Sequence, residues 1–260
     1  MGRESQYSRA VVDSMEEIFG KGFLSPGGPE EIARIFDGLD LTGLRVLDWG
    51  CGLGGATMAL ARDLGAGQVL GIDVDEGNLA HAKANIDAAG LTEPIALQLV
   101  EPGPLPLADG DFDVVFTQAA LCHIDDKAAV LSEYHRVLKP GGRLVASDWM
   151  TGHDGPLSKA YHQWDEVLRQ EGLIFFFKSV AHHEKALAEA GFTEIAITDN
   201  SAHTGALARD FLDHIEGAGQ TTLLGSLGDD GYERFLLRAN ARIEALDSGD
   251  LRLCHLRART

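Results

Sequence analysis

The sequence predicts an α/β fold built on a seven-stranded, mostly parallel sheet, with helices on both faces and a helical cap. Three observations predict it. Short apolar runs alternate with segments of helical period from Arg45 to Trp149, as parallel strands joined by crossover helices do. The first of these runs empties into a glycine-rich turn, Asp48-Trp-Gly-Cys-Gly-Leu-Gly-Gly55, that feeds a helix. Beyond Trp149 the alternation gives way to longer helical stretches and two further strands.

Taken in order, Val11, Val12, Met15, Ile18 and Phe19 share one face of a helix expected over residues 9 to 20, with Asp13, Glu16 and Glu17 on the wet side. Gly20 and Gly22 stop it, and Pro29 opens a second helix that runs to Phe36. Val46 and Leu47 form the first strand, and Met58, Leu60, Ala61 and Leu64 give the helix after it its apolar stripe. Gln68–Asp73, Ile95–Glu101, Phe112–Thr117 and Arg143–Trp149 read as strands two to five, with a helix over 128 to 138. Residues 157 to 190 read as mostly helical, Phe192–Thr198 as a sixth strand, 204 to 218 and 230 to 246 as helices, and Leu251–Leu256 as an edge strand. The expected organisation is an N-terminal helical lid over 1 to 40 and one domain over 41 to 260. Cap insertions at about 151 to 190 and 200 to 249 would lie over the carboxyl ends of the strands, where open α/β sheets bind ligands.

Composition narrows the partners. Among 260 residues, 22 basic against 40 acidic side chains give a net charge of −18, which repels phosphate backbones and anionic lipid surfaces. A small-molecule substrate is expected, with no nucleic acid and no membrane. Cys51, Cys122 and Cys254 are widely spaced, form no metal-ligand cluster and read as reduced thiols. The polar start of the sequence lacks a signal-peptide core, and Leu173–Phe177 is too short to cross a bilayer, so a cytoplasmic protein is expected.

The glycine turn alone also satisfies a dinucleotide fingerprint, Gly50-x-Gly52-x-x-Gly55. Asp48, two residues before Gly50, and the downstream Leu138-Lys-Pro-Gly-Gly142 make the sequence resemble the Rossmann-like class I methyltransferases that use S-adenosylmethionine. In that reading Asp48, Gly50, Gly52 and Gly54 form the cofactor cradle, and no metal is expected. Asp73, 23 positions after Gly50, stands where a doubly wound fold places its ribose-binding acid; it is also placed to cap the next helix. Glu101, with Pro102 beside it, is a candidate neighbour of the adenine or a plain surface carboxylate.

The resemblance narrows further. Gln6-Tyr-Ser8, Glu17-Ile-Phe-Gly20, Phe23-Leu-Ser-Pro-Gly-Gly28, Val46–Gly55, Gly71-Ile-Asp73 and Ala120-Leu-Cys-His123 recur in this order in the phosphoethanolamine N-methyltransferases, over about the first 150 residues. The resemblance implies a catalytic pair, Tyr7 and His123, that closes over the cofactor. It also implies cofactor contacts at Ser25, Gly52, Asp73, Val74, Glu101 and Gln118, and S-adenosylhomocysteine as the product. Without it, His123 reads as a loop residue capping the helix that starts near Asp125.

The sequence departs from that family in several places: Glu101 and Ala119 each replace an aspartate, Met15 a tyrosine, and a run of phenylalanines with Arg169 stands where the family holds its phosphate. Trp149 and Arg169 are the candidate acceptor-binding residues; Lys178, Arg234 and Arg238 are further sources of positive charge. The expected function is methyl transfer from S-adenosylmethionine to the nitrogen of a small amine, phosphoethanolamine-like or a related methylated amine. The alternatives are O- or C-methylation of another small metabolite, which Trp149, Trp164 and Phe175 to Phe177 would line, and a non-catalytic S-adenosylmethionine-binding protein. Histidines such as His81, His182 and His183 are expected on the surface.

Overall fold

The protein is described by a computed structural model that covers residues 12, 15, 16, 19–25, 27–170 and 172–260. Of the helix expected over 9 to 20, Val12, Met15, Glu16 and Phe19 are described, and all four are helical. Tyr7 lies outside the described residues.

Seven strands, β1 (Arg45–Trp49), β2 (Gln68–Asp73), β3 (Ile95–Leu99), β4 (Phe112–Gln118), β5 (Leu138–Thr151), β6 (Thr193–Asp199) and β7 (Leu251–Arg259), form one sheet in the order β3-β2-β1-β4-β5-β7-β6. The pairs β1–β2, β1–β4, β2–β3 and β4–β5 are parallel, whereas β7 runs antiparallel to both β5 and β6. The seven-stranded, mostly parallel architecture is therefore the expected one. The order of connection reverses between β1 and β4, and at such a switch point the two outgoing loops part and leave a crevice.

Side chains alternate across the strands, so adjacent residues feed opposite cores. Leu47, Val115 and Leu144 join a core with Tyr134 of α4 (Lys127–Val137) and Leu187 of α6 (Val180–Glu189). Val46, Val114 and Val145 join the other, with Ile32 and Ile35 of α1 (Gly28–Ile35), Met58 and Leu60 of α2 (Gly55–Arg62) and Ile86 of α3 (Glu76–Ala89). The remaining helices, α5 (Lys159–Gln170), α7 (Ser201–Glu216) and α8 (Gln220–Asp247, kinked at Gly228), build two smaller apolar clusters.

Three expectations are corrected. β7 is not an edge strand: Leu251, Cys254, Leu256 and Ala258 are buried, and the mostly exposed β6 forms the edge. The span 157 to 190 is interrupted, because residues 173 to 178 run without helix between α5 and α6. Phe176 N–H there donates to the Cys122 carbonyl at 2.8 Å, and Thr151 N–H donates to the Lys178 carbonyl at 2.9 Å, so this strip spends its backbone on tertiary partners. Finally, His183 is 1% exposed, its Nδ1 2.9 Å from the Ser179 carbonyl, and His81 is largely covered by the N-terminal segment.

Candidate active site

The crevice opens into a cavity of about 1390 Å³ lined by the carboxyl ends of β1, β2 and β4, the segment 19 to 25, the strip 173 to 177, and α8. Drug-sized ligands occupy pockets of about 300–1,000 Å³, so this one has room for a nucleoside cofactor and an acceptor together.

On the cofactor side, Asp73 ends β2 and accepts the Gly52 N–H on Oδ2 and the Asp75 N–H on Oδ1, each at 2.9 Å. A carboxylate offers about four lone-pair sites, so acceptor capacity remains for a diol. Burial pushes its carboxyl above the ordinary range, opposed by the backbone donors. The helix-capping role open to Asp73 in the sequence is filled by Asp75, which accepts the Asn78 N–H at 3.0 Å. Asp48 lies deeper, fully buried, and takes the Thr57 hydroxyl at 2.6 Å. Burial pushes its carboxyl up to about 7, and the charge of Asp73 adds to that.

Gly50 has φ +77°, and a Cβ there would meet the Ala120 side chain at 2.5 Å; the loops leaving β1 and β4 touch at this point. Gly54 does not line the cavity; a Cβ there would press on Ala82 of α3 at 3.1 Å, so its part is to let α2 and α3 approach. At the start of α2, Gly55 N–H is already spent, donating to the Gly22 carbonyl at 3.0 Å. Val74, Glu101, Pro102, Gln118 and Ser25 all line the cavity, and Val74 leaves 45% of its surface uncovered.

On the acceptor side, β4 ends at Gln118, Ala119 turns with φ +51°, and a single 3-10 turn, Leu121–His123, places His123 in the cavity wall. The helix cap alternative for His123 is not realised, as Asp126 accepts the Ala129 N–H at 2.9 Å. The imidazole packs on Phe175 with ring centroids 4.4 Å apart. Burial holds it below the ordinary histidine range; a hydrogen bond with the Ile174 backbone opposes this and the charge of Lys127 reinforces it.

Phe175 and Phe177 stack at 5.0 Å, Trp164 stacks on Phe177 at 5.4 Å, and Trp149 lies 6.4 Å from Trp164. These rings form an aromatic wall. Arg169 does not reach the cavity: its Nε pairs with Asp165 at 2.8 Å on the exposed side of α5. The arginines that do line it are Arg238, which the sequence had offered among several cations, and Arg242, one turn further along α8.

Other parts of the site were missed at the sequence level. Glu16, 4% exposed at its side chain, accepts Lys21 Nζ at 2.6 Å, Gly22 N–H at 2.8 Å and Asn85 Nδ2 at 3.2 Å, and it meets His81 at 3.2 Å. It bolts the N-terminal segment to α3. Lys127 and Asp148 were also passed over. One signal was available: a lysine opening a helix opposes the helix dipole and needs another reason to be there. Among the described residues, no cluster of three or more His, Cys, Asp or Glu side chains could hold a metal, and no helix is long and apolar enough to cross a membrane.

Together, the strand order and the glycine-rich turn after β1 give the chain the Rossmann-like fold of the class I methyltransferases. Residues 47–146 match the family profile of a methyltransferase domain. Phosphoethanolamine N-methyltransferase 1 of Arabidopsis thaliana is 28% identical over 212 residues, covering 81% of this chain and 41% of the plant protein. The structure of phosphoethanolamine N-methyltransferase 2 of Haemonchus contortus, in complex with phosphomonomethylethanolamine and S-adenosylhomocysteine, superposes with a TM-score of 0.88 at 24% identity. It covers 99% of this chain and 59% of the nematode chain. The cyclase SpnF shares the fold with a TM-score of 0.73 at 23% identity, over 96% of this chain and 93% of its own. This chain thus spans well under two thirds of its two phosphoethanolamine-methylating relatives, and at these identities the structural matches establish the fold alone.

Proposed function

We propose that this chain transfers a methyl group from S-adenosylmethionine to the nitrogen of a small amine. The observation that carries the reading is His123, a half-buried imidazole that packs on Phe175 in the wall of the same cavity that holds Gly52 and Asp73. When bound, S-adenosylmethionine supplies an activated methyl whose sulfur needs no protonation to leave. What remains for the protein is alignment and the proton on the amine. Asp73 would hold the ribose hydroxyls, Gly52 leaves the backbone open beside it, and Val74 and Pro102 would flank the purine, with Glu101 and Gln118 as polar neighbours.

An ammonium has no lone pair, so the acceptor must lose a proton before attack. A neutral imidazole at pH 7 is suited to take it. The resemblance assigns Tyr7 as its partner, from an N-terminal segment that would act as a lid. The aromatic wall of Trp149, Trp164, Phe175 and Phe177 suits a methylated cation, which the faces of such rings attract. The same wall favours a second reading, transfer to oxygen or carbon on a ring-bearing metabolite.

The test is turnover of a panel comprising ethanolamine, N-methylethanolamine and sarcosine beside phosphoethanolamine and its N-methyl derivative. Because rings replace the family's phosphate-binding pattern in the 173 to 177 strip, the free amines should be methylated at least as fast as the phosphorylated ones. An exclusive preference for the phosphorylated amines would contradict this.

A further inference from the structure

The turn that presents His123 rests on buried charges that methyl transfer does not itself require. Lys127, at the start of α4, is 2% exposed, and its ammonium donates to the Leu121 carbonyl at 2.7 Å and the Ile124 carbonyl at 2.5 Å. Those two residues bracket Cys122 and His123. From the sheet side Asp148 of β5, 1% exposed, accepts the Cys122 N–H at 3.2 Å and the Trp149 N–H at 2.7 Å. Burial pulls Lys127 below the ordinary lysine range and pushes Asp148 up to about 6, and each group favours the charged form of the other. Removing two charges from water costs several kcal/mol per ion before their attraction is counted, and well-packed apolar side chains often serve stability as well. Fold stability alone is therefore a poor reason for a lysine here.

We propose that Lys127 is the positioning residue of His123: its ammonium, balanced by Asp148, clamps the Leu121–Ile124 turn and holds the imidazole in the cavity wall. The inference rests on the reading of His123 as the proton acceptor. Among the described residues, the charged and titratable groups packed around this turn include Cys122 on the turn itself, Asp125, Lys127 and Tyr134 on or beside α4, Asp148 on β5, Lys178 from the strip after α5, His183 on α6 and Cys254 on β7. Lys178 is already paired with Asp125 at 3.4 Å, and burial pushes His183 down to about 4, so neither replaces Lys127.

Lys127→Met and Asp148→Asn move the imidazole in opposite directions under this account. Loss of the ammonium should raise the titration midpoint of the His123 Cε1 proton by roughly one pH unit. The acid limb of kcat/KM should follow it, and the plateau kcat should fall by about tenfold or more while cofactor affinity is retained. Loss of the carboxylate should lower the midpoint. The resonance is identified by its absence in His123→Gln, and thermal melts report whether each variant folds; should Lys127→Met not fold, Asp148→Asn and the milder Lys127→Arg, which should restore the wild-type midpoint, carry the test. Folded variants whose midpoint and acid limb do not move would overturn the proposal. Wild-type turnover in His123→Gln would instead sink the role of His123, and the titration would still decide whether Lys127 tunes it.

Discussion

Asp73 is the residue on which the cofactor reading leans most. Its two oxygens already orient Gly52 and Asp75, and the lone pairs left over are those a ribose would use. Hydrogen bonds to a charged group contribute about 1.5–3 kcal/mol each, so Asp73→Ala should weaken S-adenosylhomocysteine binding by about a hundredfold or more in calorimetry. A change under threefold would remove it from the cofactor site. Asp48 contributes differently. Its folded pKa of about 7 lies above the unfolded value near 3.8, so the folded state holds a proton that the unfolded state releases as pH rises between them. Stability from this group is therefore greatest at low pH and is lost as pH climbs to about 7. Urea unfolding at pH 5 and pH 8 should show a larger drop for the wild type than for Asp48→Asn; equal drops would mean that Asp48 is not protonated in the folded protein near pH 5.

At the scale of elements, the N-terminal segment and the glycine-rich loop are one device. Glu16 ties the segment to α3, Gly22 gives its carbonyl to Gly55 N–H, and a Cβ on Gly22, at φ +85°, would sit 2.7 Å from that same nitrogen. Gly22→Ala should therefore push the two apart. The left-handed backbone adds a strain of about 1–3 kcal/mol, and affinity for S-adenosylhomocysteine should drop by roughly five- to a hundredfold. Wild-type affinity would show that the segment does not support the loop. What the sequence revealed here follows a physical rule. Val46, Leu47 and the strands after them are legible because burial on both faces writes itself as unbroken apolar runs, and the glycines because a tight turn admits few other residues. The residues that order Leu173–Phe177 are not legible: five apolar residues look alike in a helix and in a strip, and partners distant in sequence, the Cys122 carbonyl and the His123 ring among them, hold this one extended. Arg169 was misplaced for a related reason, since helical phase turns it toward Asp165 while Arg238 and Arg242, on a helix more than sixty residues later, line the cavity.

At the scale of the molecule, β1, β2 and β4 deliver the cofactor end of the cavity, and α8, the strip after α5 and the N-terminal segment deliver the rest. The cyclase SpnF and phosphoethanolamine N-methyltransferase 2 of Haemonchus contortus share this one fold, so the fold by itself does not decide the chemistry. The net charge of −18 is hostile to polyanions, and the cavity wall itself carries carboxylates such as Asp73, Glu101 and Asp125 beside Arg238 and Arg242. The claim that all of this serves N-methylation is tested most directly by following a deuterated methyl group. The protein is incubated with S-adenosylmethionine carrying a CD3 label and the amine panel, and the product is analysed by mass spectrometry and NMR. The account predicts one S-adenosylhomocysteine for each CD3 found on nitrogen; label on oxygen or carbon, or bound cofactor that yields no S-adenosylhomocysteine with any acceptor, would contradict it.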